Sequence, residues 1–359
     1  MRDEEERVGI FEKLLEGGHE QLIFCQHHPT KLRALIAIHN TTLGPALGGC
    51  RIRDYPTEDD AVADTLRLAE SMTYQAVLAN YDAGGGMTVI WGEPEIKEDE
   101  AVLRAFGRFL NGMGGRIVTF SDLGTDDDDM RSVGIETPHV IASSPHEVPS
   151  DVAAAWGVYY GITACMNACF SSSSVQDRTI VIQGVGGVGS ALASILVQMD
   201  AKLYISDLKY DPLKAIQDLH PDVELVQTDE VYDIPCDIFS PCAVGGVIDP
   251  ETVERLRCRI VAGAAFNILT DPSLALRLEE RGILFAPEFV INAGDVLVMN
   301  RPGDIADLEE VKRATRQIYT NISKVFTRAR QMGVPPLFAA QEMAREKIAR
   351  IGKTKSIMC

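Results

Sequence analysis

The sequence predicts an α/β protein with two domains, and three observations lead to this prediction. Its 359 residues, 46% of them hydrophobic, suffice to bury more than one core. Through the second half of the chain, helical stretches alternate with short strand-like segments, as in a doubly wound sheet. Between residues 143 and 150, serine, proline and histidine interrupt the hydrophobic periodicity. We therefore expect an N-terminal α/β domain over residues 1–147, a parallel α/β domain over residues 148–325 and a C-terminal helical segment over residues 326–359.

Charge and composition exclude several classes of function. The formal net charge is −18 at pH 7, whereas binding to nucleic acid or to an anionic membrane surface requires clusters of lysine and arginine. The sequence has no apolar run of about 18 residues and no apolar segment near its N-terminus, so it predicts neither a membrane span nor a secretory signal. The eight cysteines form no CxxC pair, which argues against a zinc site and favours reduced thiols in a cytoplasmic protein.

The N-terminal half alternates between strand and helix signals. Residues 32–39 are predicted to form a strand that leads into a glycine-rich turn over residues 44–49. A helix is expected after Pro56, with Thr57 as its N-cap. Another helix is expected over about residues 98–110.

Two charged segments are predicted to be structural. The four consecutive aspartates from Asp126 to Asp129 are typical of a solvated turn or a helix start rather than of a cation site, so no metal is expected. From Asp304 to about Ile351 the chain is predicted to be helical.

A phosphate-binding loop is predicted near the middle of the chain. A β-branched strand over residues 179–183 precedes a GxGxxG sequence, a helix follows through Met199, and Asp207 comes directly after the next strand, residues 203–206. In this context the pattern predicts a Rossmann-type dinucleotide-binding domain, in which glycines and the helix N-terminus receive a pyrophosphate. The predicted cofactor-binding residues of the loop are Gly184, Gly186, Gly187, Val188 and Gly189.

The cofactor predicted from these residues is NAD. Asp207 would accept hydrogen bonds from the ribose hydroxyl groups and would repel a 2′-phosphate, which favours NAD over NADP. The alternative is a glycine-rich turn in an α/β protein that binds no nucleotide.

Several further motifs occur in one order along nearly the whole chain. They are TTLGPALGG from Thr41, Met72-Thr73-Tyr74, Gly84-Gly85-Gly86, Asp122-Leu123-Gly124-Thr125 and Ile291-Asn292-Ala293-Gly294. Together with the loop they resemble the glutamate/leucine/phenylalanine/valine dehydrogenase family, and most of all its leucine dehydrogenase branch. The resemblance implies that an N-terminal α/β domain and a Rossmann domain close over an active cleft, with the C-terminal segment returning towards the N-terminal domain. It also implies a homo-oligomer that interconverts an L-amino acid and a 2-oxo acid by hydride transfer.

The sequence departs from the family at two positions that the resemblance makes catalytic. The family places a lysine after Met-Thr-Tyr to hold the substrate carboxylate, and another after the three glycines as general base. Here these positions are Gln75 and Met87, while the aspartate that exchanges protons with the amine is kept as Asp122. A charge-assisted hydrogen bond contributes about 1.5–3 kcal/mol, and a positioned base about 10²–10⁴-fold in rate. Ordinary amino-acid oxidation is therefore expected to be slow or absent.

The remaining predicted site residues also come from the resemblance. The residues assigned to substrate binding are Gln75 and Met87, at the two lysine positions, together with Gly48, Phe266 and Asn292. Thr125 and Asn267 are assigned to cofactor binding. Phe266 stands where the family usually has an asparagine, and it either stacks on a flat ligand or fills core volume. His146 and Tyr74 are candidates to replace the lost base.

Three functional hypotheses follow from these residues. The first is an NAD-dependent oxidoreductase with altered chemistry, acting on an amine, an imine or a modified amino acid that is aromatic or hydrophobic. The second is a catalytically inactive protein that binds NAD or serves as a partner subunit of an active homologue. The third is a conventional amino-acid dehydrogenase whose catalytic groups have moved.

Overall fold

The computed structural model describes residues 9–143, 147–299 and 307–355. These residues divide into two compact units. The first unit contains residues 9–77, 82–143 and 347–355, and the second contains residues 78–81 and the described residues from 147 to 346. The domain boundaries expected from the sequence stay predictions.

The first unit is built on a five-stranded mixed sheet in the order β1-β2-β4-β3-β5. Strands β1 and β2 are antiparallel, as are β2 and β4, whereas β3 is parallel to both β4 and β5. Its elements are α1 (Ile10–Gly17), β1 (Gln21–His27), β2 (Leu32–Asn40), β3 (Ala46–Arg53), α2 (Glu58–Leu78), β4 (Gly84–Trp91), a 3₁₀ turn (Pro94–Glu98), α3 (Glu100–Gly112), β5 (Ile117–Ser121) and α4 (Asp127–Gly134).

Local sequence signals account for several of these elements. The predicted strand over residues 32–39 is observed as β2. The helix expected after Pro56 is α2, and the hydroxyl of Thr57 caps it by accepting a hydrogen bond of 3.1 Å from the amide of Asp60. Asp126 caps α4 in a reciprocal capping box, so the prediction of a helix start for the four aspartates is confirmed.

The predicted turn over residues 44–49 is wrong from residue 46 onwards, because these residues belong to β3. Gly48 of β3 and Gly84 of β4 serve close packing between neighbouring strands. A Cβ atom on Gly48 would lie 2.0 Å from the carbonyl oxygen of Gly86, and one on Gly84 would lie 1.8 Å from that of Asn40. Strand contacts of this kind have no signature in the local sequence, where glycine clusters usually indicate turns.

The two faces of this sheet pack against different helices. One face forms an apolar core, in which Cys50 and Ile90 pack with Phe106 and Leu110 of α3. On the other face, a Cβ atom on Gly85 would lie 2.1 Å from the backbone nitrogen of Thr73, so α2 packs directly against β4 there. We call this second side the α2 face.

The second unit is built on a parallel sheet of six strands in the order β11-β10-β9-β6-β7-β8. The strand order reverses between β6 and β9, as at the nucleotide-binding crevice of a Rossmann fold. The α/β fold class with a Rossmann-type parallel sheet is confirmed. The elements are α5 (Ser150–Phe170), β6 (Thr179–Gln183), α6 (Gly187–Gln198), β7 (Lys202–Ser206), α7 (Tyr210–Leu219), β8 (Glu224–Leu225), β9 (Ile238–Pro241), α8 (Thr252–Arg255), β10 (Ile260–Val261), α9 (Leu274–Glu280), β11 (Leu284–Phe285), α10 (Glu288–Ile291), α11 (Gly294–Met299), α12 (Leu308–Thr315), α13 (Gln317–Met332) and α14 (Pro336–Lys355).

The C-terminal part is helical, as predicted, but it is divided into α12, α13 and α14. Its predicted start at Asp304 lies outside the described residues. Gly333 ends α13 in the left-handed region, with φ of +68°. Near the end of the chain, Lys347 on α14 donates a hydrogen bond of 2.6 Å to the carbonyl oxygen of Val77 on α2.

Within the described ranges, no helix combines the length and the apolar character needed to cross a bilayer.

Candidate active site

The glycine loop of the second unit runs from the end of β6 into the start of α6. Gly184 has φ of +92°, a conformation that favours glycine, and its amide donates a hydrogen bond of 2.7 Å to the carbonyl oxygen of Ser206. A Cβ atom on Gly189 would lie 2.0 Å from the carbonyl oxygen of Gly184. The first and third glycines of the motif therefore serve the tight turn and the close packing of helix on strand.

The middle of the loop is open. Apart from Gly186 and its neighbours in the chain, no part of the described residues lies within 4 Å of where a Cβ atom of Gly186 would stand. Gly186 is the N-cap of α6, a helix of 12 residues whose first-turn amides, at Gly187 and the partly exposed Val188, attract an anion. This open cradle fits the pyrophosphate of a dinucleotide. A Cβ atom on Gly187, by contrast, would meet the carboxylate of Asp151 at 1.8 Å.

Asp207 stands directly after β7, beside the loop. Its Oδ2 accepts a hydrogen bond of 2.8 Å from the amide of Val185, and its Oδ1 accepts one of 2.9 Å from the amide of Lys209. The carboxylate is thus fixed by two backbone groups while the side chain stays partly exposed. A fixed, accessible carboxylate in this place fits the two hydroxyl groups of a ribose.

In the first unit, Asp122 follows β5 in a turn that Thr125 holds in place. The hydroxyl of Thr125 accepts a hydrogen bond of 2.9 Å from the amide of Asp122 and donates one of 2.7 Å to the carbonyl oxygen of Cys50. Gly124 within the turn has φ of +83°. Thr125, predicted to bind cofactor, therefore has a positioning role for Asp122.

Arg51 is a site residue that the sequence did not reveal. Its Nε donates a hydrogen bond of 2.9 Å to Asp122 Oδ2, and its Nη1 donates one of 3.1 Å to Asp64 Oδ2. Burial lowers the pKa of Arg51, but the charges of these two carboxylates outweigh it, and the net effect raises the pKa above its ordinary value. Arg51 follows Gly49 by two residues, which puts both on one face of β3. This spacing from the glycine motif is the sequence signal that could have identified Arg51.

Register places Met87 in the same neighbourhood. Strands β3 and β4 pair Leu47 with Gly85 and Cys50 with Thr88, so Gly49 lies beside Met87 and both project to the α2 face. A Cβ atom on Gly49 would lie 2.6 Å from the Cβ atom of Asp122. Met87 and Asp122 therefore both lie next to the buried Gly49.

The other predicted substrate residues of this unit are buried. Gln75 on α2 is 1% exposed and Met87 is 2% exposed. Gly48 belongs to β3, where it allows close approach of β4. Tyr74 donates a hydrogen bond of 2.6 Å to Glu70 on its own helix, and His146 lies outside the described residues.

In the second unit, Phe266 and Asn267 form a loop beyond β10. Phe266 is partly exposed, which favours contact with a ligand over filling of the core. Asn267 has φ of +52°, which asparagine tolerates better than most residues. Its backbone amide donates a hydrogen bond of 2.9 Å to Oε1 of the buried Glu288. Asn292 follows α10 and is 8% exposed.

No group of three or more histidine, cysteine, aspartate or glutamate side chains suited to a metal ion occurs among the described residues. Lys97 instead pairs with Asp126 at 3.1 Å and with Asp129 at 2.8 Å.

Comparisons with known proteins agree with this geometry. A family model described as the Glu/Leu/Phe/Val dehydrogenase dimerisation domain matches residues 19–139, and the Glutamate/Leucine/Phenylalanine/Valine dehydrogenase model matches residues 203–355. Leucine dehydrogenase of Thermoactinomyces intermedius is 41% identical over 358 residues, covering 97% of this chain and 95% of the relative. Valine dehydrogenase of Streptomyces coelicolor is 39% identical and covers 93% of each chain. The crystal structure of L-tryptophan dehydrogenase from Nostoc punctiforme superposes with a TM-score of 0.74 at 35% identity, covering 96% of this chain and 99% of that one.

The fold and the loop define an oxidoreductase of the amino-acid dehydrogenase class. The chain belongs to the glutamate/leucine/phenylalanine/valine dehydrogenase family. The resemblance drawn from its motifs is thereby confirmed.

Proposed function

We propose that this dehydrogenase transfers a hydride between NAD and the carbon of an amine or imine, and that it does not deaminate ordinary amino acids at the usual rate. One observation carries the proposal. The α2 face presents Asp122 beside Gly49 and Met87, and the positions that the family resemblance gives to two lysines are the neutral, buried Gln75 and Met87.

Met87 cannot activate water, since a thioether has no group that titrates in water. Oxidative deamination requires water to attack an imine, whereas reduction of a preformed imine requires only a hydride and a proton. Asp122 supplies a carboxylate for the reacting nitrogen. The residues present therefore suit the reductive half of the chemistry.

The cofactor half of the proposal concerns the second unit. The backbone from Gly184 to Gly189, including Val188, would hold the pyrophosphate, and Asp207 would hold the adenosine ribose. NAD, when bound, supplies or accepts the hydride. Members of the family use nicotinamide dinucleotides, and we propose NAD rather than NADP because the Asp207 carboxylate would repel a 2′-phosphate.

We also propose roles for the other predicted site residues. Phe266 and Asn292 would contact the substrate, together with the backbone of Gly48, while Asn267 and Thr125 would lie near the nicotinamide. We further propose a homo-oligomer that acts on a small molecule, since the matched N-terminal model is described as a dimerisation domain.

The test is NADH consumption by the full chain with a panel of preformed and cyclic imines, measured against 2-oxo acids supplied with ammonia. We expect turnover of the imines and a loss of about 100-fold or more in Asp122→Asn. Asp222→Asn is the matched control, because Asp222 is an exposed residue before β8, at the edge of the other sheet. Turnover confined to 2-oxo acids with ammonia would contradict the proposal. It would support a conventional amino-acid dehydrogenase whose catalytic groups have moved.

A second candidate is an NAD-binding protein that catalyses nothing or assists an active homologue. The loss of both titratable groups at positions 75 and 87 favours it. Calorimetric binding of NAD without hydride transfer to any imine or oxo acid would support this candidate. Co-purification with an active relative would assign it the role of a partner subunit.

A further inference from the structure

We infer that the substrate is a cationic amine or iminium that carries no carboxylate group. This inference rests on the proposed function, because it names the substrate class of the site around Asp122. It follows from how charge is arranged on the α2 face of the first unit.

The positive charge of Arg51 is already paired with two carboxylates of the protein. Its guanidinium contacts Asp122 at 2.9 Å and Asp64 at 3.1 Å, and its side chain is only 9% exposed. A substrate carboxylate would have to displace one of these partly buried carboxylates to reach it. The displaced carboxylate would then lack its counter-charge in a partly buried position, which is unfavourable.

The other arginine of β3, Arg53, also interacts with groups of the protein. Arg53 lies 3.7 Å from Asp64 Oδ2, and its guanidinium lies over the ring of Tyr55 at 5.1 Å from the centroid. The hydroxyl of Tyr55 donates a further hydrogen bond of 2.6 Å to Asp64. Both arginines of β3 are therefore ion-paired with carboxylates of the protein, and they share Asp64.

Gln75 and Met87 add no charge to this balance. A carboxylate moved from water to the α2 face would meet the carboxylate of Asp122 and the thioether of Met87, and a buried charge without a counter-charge is costly. Asp122 itself is 21% exposed, so a ligand can reach it. An ammonium or iminium nitrogen placed there gains a charge-assisted hydrogen bond.

An iminium also suits the groups that are present. It already carries the proton on its nitrogen, so the hydride bonds to carbon while the electron pair of the C=N π bond becomes the lone pair of nitrogen. The iminium cation and NADH yield a neutral amine and NAD⁺, and the charge balances with no further proton. This step uses no base at position 87.

The experiment compares ligand pairs that differ only in a carboxylate. With NAD-saturated full-length protein, calorimetry measures the binding of 3-methylbutylamine against leucine and of tryptamine against tryptophan. NADH consumption is followed with 1-pyrroline against 1-pyrroline-2-carboxylate. We expect each carboxylate-free compound to bind or react at least tenfold better, and a preference for the carboxylates would overturn the inference.

A variant tests the cause. Gln75→Lys restores a cation and should shift the preference towards the carboxylates by tenfold or more. Met332→Lys makes the matching charge change at an exposed position at the end of α13 and should leave the preference unchanged. The comparison of ligands on the unaltered protein stands whether or not Gln75→Lys folds.

The proposed hydride transfer and the inference about the charge of the substrate are contradicted by different results. If neither pyrroline is reduced while the amines still bind better than the amino acids, the proposed hydride transfer fails and the inference about charge is supported. If both pyrrolines are reduced and the carboxylate is preferred, the proposed function is supported and the inference is overturned.

Discussion

Arg51 Nε and Asp122 Oδ2 are joined by a hydrogen bond of 2.9 Å, although 71 positions separate the two residues in the chain. Gly49 makes room for the pair, because its missing side chain leaves the space that Asp122 occupies. The proposed catalytic carboxylate is therefore held in one orientation by a buried guanidinium.

Arg51→Met should lower the free energy of unfolding by about 2–3 kcal/mol, since it leaves two partly buried carboxylates without their shared cation. If Arg51 orients Asp122, kcat should fall more than KM changes, and Arg51→Lys should restore part of the loss because one charge returns without the planar fork. Denaturant unfolding and steady-state kinetics measure both effects. Equal damage from the exposed Arg33→Met would contradict a positioning role.

Two single-methyl substitutions in the glycine loop should have opposite outcomes. Gly186→Ala adds a methyl group to open space, so the fold should stay stable while dinucleotide affinity falls about tenfold or more, because the methyl group occupies the pyrophosphate cradle. Gly189→Ala places a methyl group against the Gly184 carbonyl and should cost about 2–3 kcal/mol of stability. Thermal unfolding and NAD titration separate the two. Normal NAD affinity in Gly186→Ala would place the pyrophosphate elsewhere.

Asp207→Ser should weaken NAD binding about tenfold or more and narrow the preference for NAD over NADP. The substitution removes a carboxylate fixed by the amides of Val185 and Lys209, and hydrogen bonds to charged groups contribute about 1.5–3 kcal/mol. Fluorescence titration with NADH and NADPH gives both affinities. Asp222→Ser, before the first residue of the neighbouring strand β8, should change neither. Equal binding of both cofactors by the unaltered protein would contradict the assignment.

His19 should make the protein less stable as the pH falls below about 6.5. Burial is the main cause that lowers the pKa of His19, and it outweighs the hydrogen bond to the Leu66 carbonyl and the charge of Glu70. The unfolded chain therefore binds the proton more readily, so this contribution is present above the unfolded pKa and is lost as the pH falls through the folded one.

The measurement for His19 is the thermal midpoint between pH 8 and pH 5.5. His19→Gln keeps a donor for Leu66 and should remove a few degrees of the loss at low pH, whereas the exposed His28→Gln should not. The ring of His39 lies 4.8 Å from that of His19, so His39→Gln is measured alongside to separate the two. An unchanged pH profile in His19→Gln would show that His19 does not contribute.

Where the physical cause is local, the sequence predicted the fold closely. The strand over residues 179–183 and the cap at Thr57 were found because alternation and capping depend on near neighbours. Strand β1 was not predicted, and the glycines of β3 were misplaced in a turn. Both errors concern pairing between strands, which depends on partners distant in the chain.

By itself the sequence determined the Rossmann unit with its Gly184–Gly189 loop and the family to which the chain belongs, because these depend on ordered motifs along the chain. Only the tertiary structure decided that Arg51 is shared by Asp122 and Asp64, and that Met87 and Asp122 flank Gly49. Register between strands and burial of long side chains set these contacts, and both arise only when the sheet has assembled.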